Sequence, residues 1–112
     1  MPRVFTRRLV LTTPVRVPDG AGGFVREWRT RGALWAEVRM RSGGLRHGEF
    51  GRMPRLQVRI VTHALPEGHV MRPVPGDRLM DRSRALEVEA IHESDRRTMT
   101  ILASEVPVEE AA

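Results

Sequence analysis

Residues 34–41 read LWAEVRMR. Leu34, Ala36, Val38 and Met40 alternate with Trp35, Glu37, Arg39 and Arg41, which at a period of two sets one apolar face against one mostly charged face. This is the pattern of a strand that is dry on one side and wet on the other. It recurs at 55–62 (RLQVRIVT), with Leu56, Val58 and Ile60 inward and Arg55, Gln57 and Arg59 outward. Upstream, 7–12 (RRLVLT) places Leu9 and Leu11 on one face, and 24–28 (FVREW) follows a glycine-rich stretch; the two make a candidate hairpin. Downstream, 77–80, 85–92 (ALEVEAIH) and 98–104 (TMTILAS) read as a closing meander whose last turn holds Glu93, Ser94, Asp95 and Arg96. No amphipathic helical stripe of useful length interrupts these strands.

The connections are equally telling. In 17–23 (VPDGAGG) the glycines suit a hairpin loop that needs positive φ at Gly20, Gly22 or Gly23. Three prolines and two glycines break 65–76 (LPEGHVMRPVPG) into a loop with one short edge strand at 70–72. Residues 42–54 (SGGLRHGEFGRMP) are too long for a tight hairpin. They could hold a short helix at 45–53, but four glycines, each costing up to about 1 kcal/mol in a helix interior, favour an extended loop. The tail 105–112 is expected to be exposed and loosely held. Strands without covering helices bury one face by closing on themselves or by stacking sheets. The expectation is an all-β chain: a small antiparallel β-barrel of six to seven strands over about 7–104, with one long loop or short-helix insertion, in a single domain spanning 1–112.

At 112 residues the chain suits one domain, since compact domains commonly run to roughly 100 to 150 residues. The aromatic residues are Phe5, Phe24, Trp28, Trp35 and Phe50, so the core must be largely aliphatic, with Trp28 and Trp35 as candidates to join it. The absence of cysteine excludes disulfides, thiolate nucleophiles, iron–sulfur clusters and cysteine-based zinc sites. No apolar stretch approaches the roughly 20 residues of a membrane span, which reads as a soluble chain with no membrane partner.

All 19 basic residues are arginine, while lysine, asparagine and tyrosine are absent. Arginine's planar fork suits phosphate and carboxylate recognition, but GC-rich coding alone depletes those three residues together, so arginine content identifies nothing. Distribution says more: residues 1–56 carry a net charge of +8 and residues 57–112 a net charge of −3. Such asymmetry would give one molecule two unlike faces of the kind that copies meeting front to back require.

The sequence carries no motif of catalytic or ligand-binding chemistry. His47, His63, His69 and His92 lack the spacing of close ligand pairs, and each reads as solvent-exposed. The glycines of PDGAGGF have neither a following helix nor the lysine of a phosphate loop. Glu87 and Glu89 alternate with Leu86, Val88 and Ala90, which makes them the wet side of a strand. No catalytic, cofactor or metal site is expected. An OB-like single-stranded nucleic-acid-binding module remains an alternative, with Arg39, Arg41, Arg55 and Arg59 lining a groove, though tyrosine platforms are missing.

The order of Pro18, Asp19, Gly20, Gly22, Gly23, Glu27 and Trp28, then Leu34, Trp35, Ala36, Glu37 and Val38, resembles the head–tail joining (head-closure or stopper) family of tailed bacteriophages and phage-like gene transfer agents. The resemblance continues through Gln57 to Ile60, Met71, Arg72, Gly76 to Leu79 and the acidic turn at Asp95, while GGLRHGEFGRMP departs from the helix-friendly insertion of relatives. The resemblance implies a non-enzymatic subunit, assembled in the bacterial cytoplasm into a sixfold or twelvefold ring at the neck of the particle. Its partners would be portal and adaptor proteins on the head side, tail terminator or tube proteins on the other, and packaged double-stranded DNA in the channel. The expected contact residues are Gly20, Gly22, Gly23, Arg39, Arg41, Leu45, Arg46, His47, Phe50 and Arg52.

Overall fold

The computed structural model describes residues 5–40, 56–93 and 95–107. Six strands cover most of them: β1 (Arg7–Pro18), β2 (Phe24–Met40), β3 (Gln57–His63), β4 (Arg78–Asp81), β5 (Arg84–Glu93) and β6 (Thr98–Val106). Every pairing is antiparallel, and the order β1-β2-β3-β6-β5-β4 returns to β1, so the sheet closes on itself. The fold is all-β, and the described residues contain no helix.

Alternation places the core. Leu9 and Leu11 of β1, Leu34 and Ala36 of β2, Val58 and Ile60 of β3, Leu79 of β4, Leu86 and Val88 of β5, and Met99, Ile101 and Ala103 of β6 form one buried cluster. Each fully buried leucine, isoleucine or valine contributes about 1.5 to 3 kcal/mol relative to exposure, which is the main force closing the ring. Leu65 and Met71, from the loop between β3 and β4, pack against this cluster. Two buried carboxylates lock the seams. Asp77 accepts hydrogen bonds from the Thr13 hydroxyl (2.8 Å) and the Val74 N–H (3.0 Å), while Asp81 accepts two N–H groups of Arg7, the shorter at 2.7 Å.

The segments expected as separate strands at 24–28 and 34–41 are one strand of 17 residues. Continuity depends on a bulge: Leu11 opposes Gly32 and Thr12 opposes Thr30, which leaves Arg31 as the extra residue that bends β2 without ending it. Gly32 stands beside it at a φ of 155°, a backbone conformation that side-chain-bearing residues rarely adopt. β1 runs past Pro14 and ends at Pro18, further than the expected 7–12. The edge strand expected at 70–72 is replaced by two turns, in which His69 N–H donates to Pro66 O and Arg72 N–H to His69 O, each at 3.0 Å. Glu105 and Val106 belong to β6 and not to a loose tail; Val106 is buried and opposes Ala85. The expectations for 42–54 and 108–112 fall outside the described residues.

Candidate assembly interface

The hairpin of β1 and β2 is longer than the ring that contains it. β1 meets β4 only at Val10, Leu11 and Thr12, and β2 meets β3 only from Ala36 to Met40. Residues 13–18 and 24–29 therefore form a two-stranded arm standing clear of the closed sheet. Pro14 opposes Trp28, Arg16 opposes Arg26 and Pro18 opposes Phe24 on one face, whereas Val15 with Glu27 and Val17 with Val25 occupy the other.

The tip is built by Asp19. Its Oδ1 accepts the N–H groups of Ala21 (2.8 Å) and Gly23 (3.0 Å), while its own N–H donates to Gly23 O at 3.1 Å. Those two backbone bonds, the one from Ala21 the stronger, hold the Asp19 carboxyl below its usual range. Gly20 and Gly22 supply φ values of 82° and 87°, which side-chain-bearing residues adopt at a cost.

One face of the arm is an arginine and aromatic stack. The Arg16 guanidinium lies 4.2 Å from the Phe24 ring centre, and those of Arg78 and Arg26 lie 4.2 Å and 5.1 Å from the centre of the Trp28 ring. Such contacts stabilise by about 0.5 to 2 kcal/mol each, depending on desolvation. Arg78 also pairs with Glu87 at 3.6 Å, which ties the root of the arm to β5. Toward the tip the apolar surface is open: Phe24 is 58% and Val25 48% exposed.

Of the contact residues expected from sequence, Gly20, Gly22 and Gly23 lie together at this tip. Arg39 sits at the opposite end of β2, exposed beside Glu37 with an N–O separation of 3.4 Å, so the structure does not bring it to the glycine turn. Arg41, Leu45, Arg46, His47, Phe50 and Arg52 lie outside the described residues. Trp35 corrects the expectation of a core tryptophan: it is 54% exposed, because alternation puts it on the outer face opposite Arg8. Arg16, Arg26 and Arg78 are not among the contact residues expected from sequence, although Arg78 lies in the stretch that carries the family resemblance. The alternation of Phe24, Arg26 and Trp28 carried that signal.

The remaining candidates are structural. His63, His69 and His92 are all exposed; His63 meets the Phe5 ring edge-on at 4.6 Å, and His69 Nδ1 accepts the Met71 N–H at 3.0 Å. Glu89 accepts the Ser104 hydroxyl at 3.0 Å. Among the described residues no group of three or more His, Cys, Asp or Glu could hold a metal ion, and no helix is long and apolar enough to cross a membrane. An open cleft of about 470 Å³ lies between Arg31, the 67–75 loop and Ile91. Its Arg72 is committed to Leu65 O at 2.6 Å and to Glu93 at 3.3 Å.

What this geometry offers is recognition by a projecting arm. No curated protein matches the chain. Among solved structures, a chain of the virion of a native gene transfer agent particle is 40% identical, with a TM-score of 0.73 over 95% of this chain and 98% of that one. The profile of the phage head completion proteins matches residues 1–106, a span that includes all six strands. A closed all-β ring with a long, exposed hairpin and this relationship in sequence and structure together identify the chain as a member of the phage head completion protein family.

Proposed function

We propose that the protein is a structural subunit that completes the head by assembling as a ring at the particle neck, sealing packaged double-stranded DNA and presenting a surface to the tail. The closed sheet serves as a small, rigid barrel, in a single domain that acts by assembly and without catalysis. The likeness to a chain of a gene transfer agent virion, over nearly the full length of both, is the observation that carries this reading. Electrostatics supports it: the arm and bulge present Arg16, Arg26, Arg29 and Arg31, while β5 carries Glu87, Glu89 and Glu93. Unlike surfaces on one subunit are what a front-to-back ring joins. The Gly20 to Gly23 tip and Arg39, at opposite ends of β2, would then meet different neighbours, a portal or adaptor ring on one side and a tail terminator or tube protein on the other.

The test is electron microscopy of particles that lack this protein. The reading expects tailless heads that leak DNA, restored when the protein is supplied. Intact, tailed, filled particles would overturn it. Purified protein that stays monomeric and binds short single-stranded DNA with a steep salt dependence would instead favour a nucleic-acid-binding module.

A further inference from the structure

The two outer edges of the arm are chemically unlike. The Asp19 N–H to Gly23 O bond marks 19 and 23 as a hydrogen-bonded pair, so by alternation 17 with 25, 15 with 27 and 13 with 29 also face each other. The backbone groups of Pro14, Arg16 and Pro18 on β1, and of Phe24, Arg26, Trp28 and Thr30 on β2, therefore point away from the hairpin. On β1 two of the three outward positions are prolines, which leaves the Arg16 N–H as the only donor on that edge of the arm; proline is a recurrent means of blunting an exposed edge. On β2 the edge is unblunted. Among the described residues no strand other than β1 pairs with β2 before Ala36, so the outward N–H and C=O groups of Phe24, Arg26, Trp28 and Thr30 form an open ladder.

We infer that this β2 edge is a docking site that accepts an extended, alternately acidic and apolar segment of a different protein as an added strand. Main-chain bonds to the ladder give such a complex its affinity, and side chains give it specificity. The flanking side chains state the chemistry. Arg26, Arg29 and Arg31 against Glu27 make the edge cationic, and the exposed Phe24 and Val25 provide apolar contacts near the tip. The arm of a second copy fits poorly as the added strand. Two-fold pairing of β2 edges would set the arginine-rich strand against itself, and like charges across a strand pair are destabilising. Pairing β2 of one copy with β1 of another would meet the two prolines. The inference rests on the geometry of the edge and does not depend on the order of rings in the particle.

The probe is a fluorescent decapeptide of alternating glutamate and valine, with an arginine and valine decapeptide as control, titrated into the full-length protein. Saturable binding of the acidic peptide is expected, together with slowed amide exchange at Phe24, Arg26 and Trp28 and none at Val25 or Glu27 beyond the free state. Arg26→Ala, which keeps the N–H, should weaken binding about threefold, and Arg26→Pro, which also deletes an outward donor, by at least about tenfold. Position 26 lies in a non-hydrogen-bonded pair, so the proline spares the hairpin, and unchanged exchange at β6 amides checks this. Equal loss in both variants, equal binding of the basic peptide, or unchanged exchange at Phe24, Arg26 and Trp28 at saturation would overturn the added strand. A concentration-dependent dimer protected at the same three amides would replace the foreign segment with a second copy.

Discussion

The arm is the continuation of two of the ring's six strands, and the two regions obey different rules. Within the ring Leu9 and Leu11 are fully buried and Leu34 is 8% exposed, because they face the core that the closed sheet encloses. In the arm the same alternation continues, yet Phe24 and Val25 remain about half exposed. What differs is the neighbour and not the sequence pattern. A period of two specifies which side chains share a face; only the closing of the sheet decides whether that face is dry. The ring therefore gains its stability from burial, while the arm is held by stacked arginines and by its tip.

The largest effect that separates the two regions is truncation of the core. Ile101→Ala, at a fully buried site, should cost about 2 to 5 kcal/mol in urea unfolding. Phe24→Ala in the arm should cost no more than about 1 kcal/mol, the loss of an exposed cation–π contact with Arg16. Comparable losses would mean that the arm is part of the folded core, and the distinction would collapse.

Asp77→Ala tests the seam between the regions. The carboxylate is 1% exposed and joins Thr13, where the arm leaves the ring, to Val74 in the adjoining loop. Losing two charge-assisted bonds should destabilise by about 2 to 3 kcal/mol, read as a shifted denaturation midpoint. Trp28→Ala should cost less, about 1 to 2 kcal/mol, because it removes the stacking of Arg26 and Arg78 but little core. Faster amide exchange confined to the arm would sharpen the comparison, whereas faster exchange throughout β5 and β6 would blur it.

Much of the ring was legible in the sequence, because a strand with one dry face advertises itself by alternation: Val58 and Ile60, and Leu86 and Val88, are buried as the pattern requires. The alternation at 34–41 also put Trp35 on the polar side, and only the general habit of tryptophans suggested a core. Less legible was whatever depends on a partner far along the chain. The fusion of 24–28 with 34–41 runs through the bulge at Arg31 and the positive φ of Gly32, a register shift against β1 that no local pattern records. The reach of β1 through Pro14 and Pro18 was hidden because proline reads as a strand breaker unless its missing N–H faces an unpaired edge. The glycine tip was legible as a turn. That it crowns a free arm was not, since exposure of a hairpin depends on where its neighbours stop.

The smallest effect lies at that tip, where order depends on one carboxylate. Asp19 is ionised in the folded arm, and the N–H groups of Ala21 and Gly23 keep its pKa below the ordinary value of about 3.9. For a carboxyl whose folded pKa is depressed, the stabilisation is fully present above the unfolded pKa and is lost as pH falls through the folded one. The amide signals of Ala21 and Gly23 should hence be constant from neutral pH down to about 5 and should shift together only in strong acid, while ring amides stay fixed. Asp19→Asn keeps an acceptor oxygen and should abolish the titration while preserving the turn; Asp19→Ala should loosen the turn at every pH. A transition near pH 6 would point to a histidine as the titrating group, and a shift shared by tip and ring would mean that the arm does not move independently of the sheet it leaves.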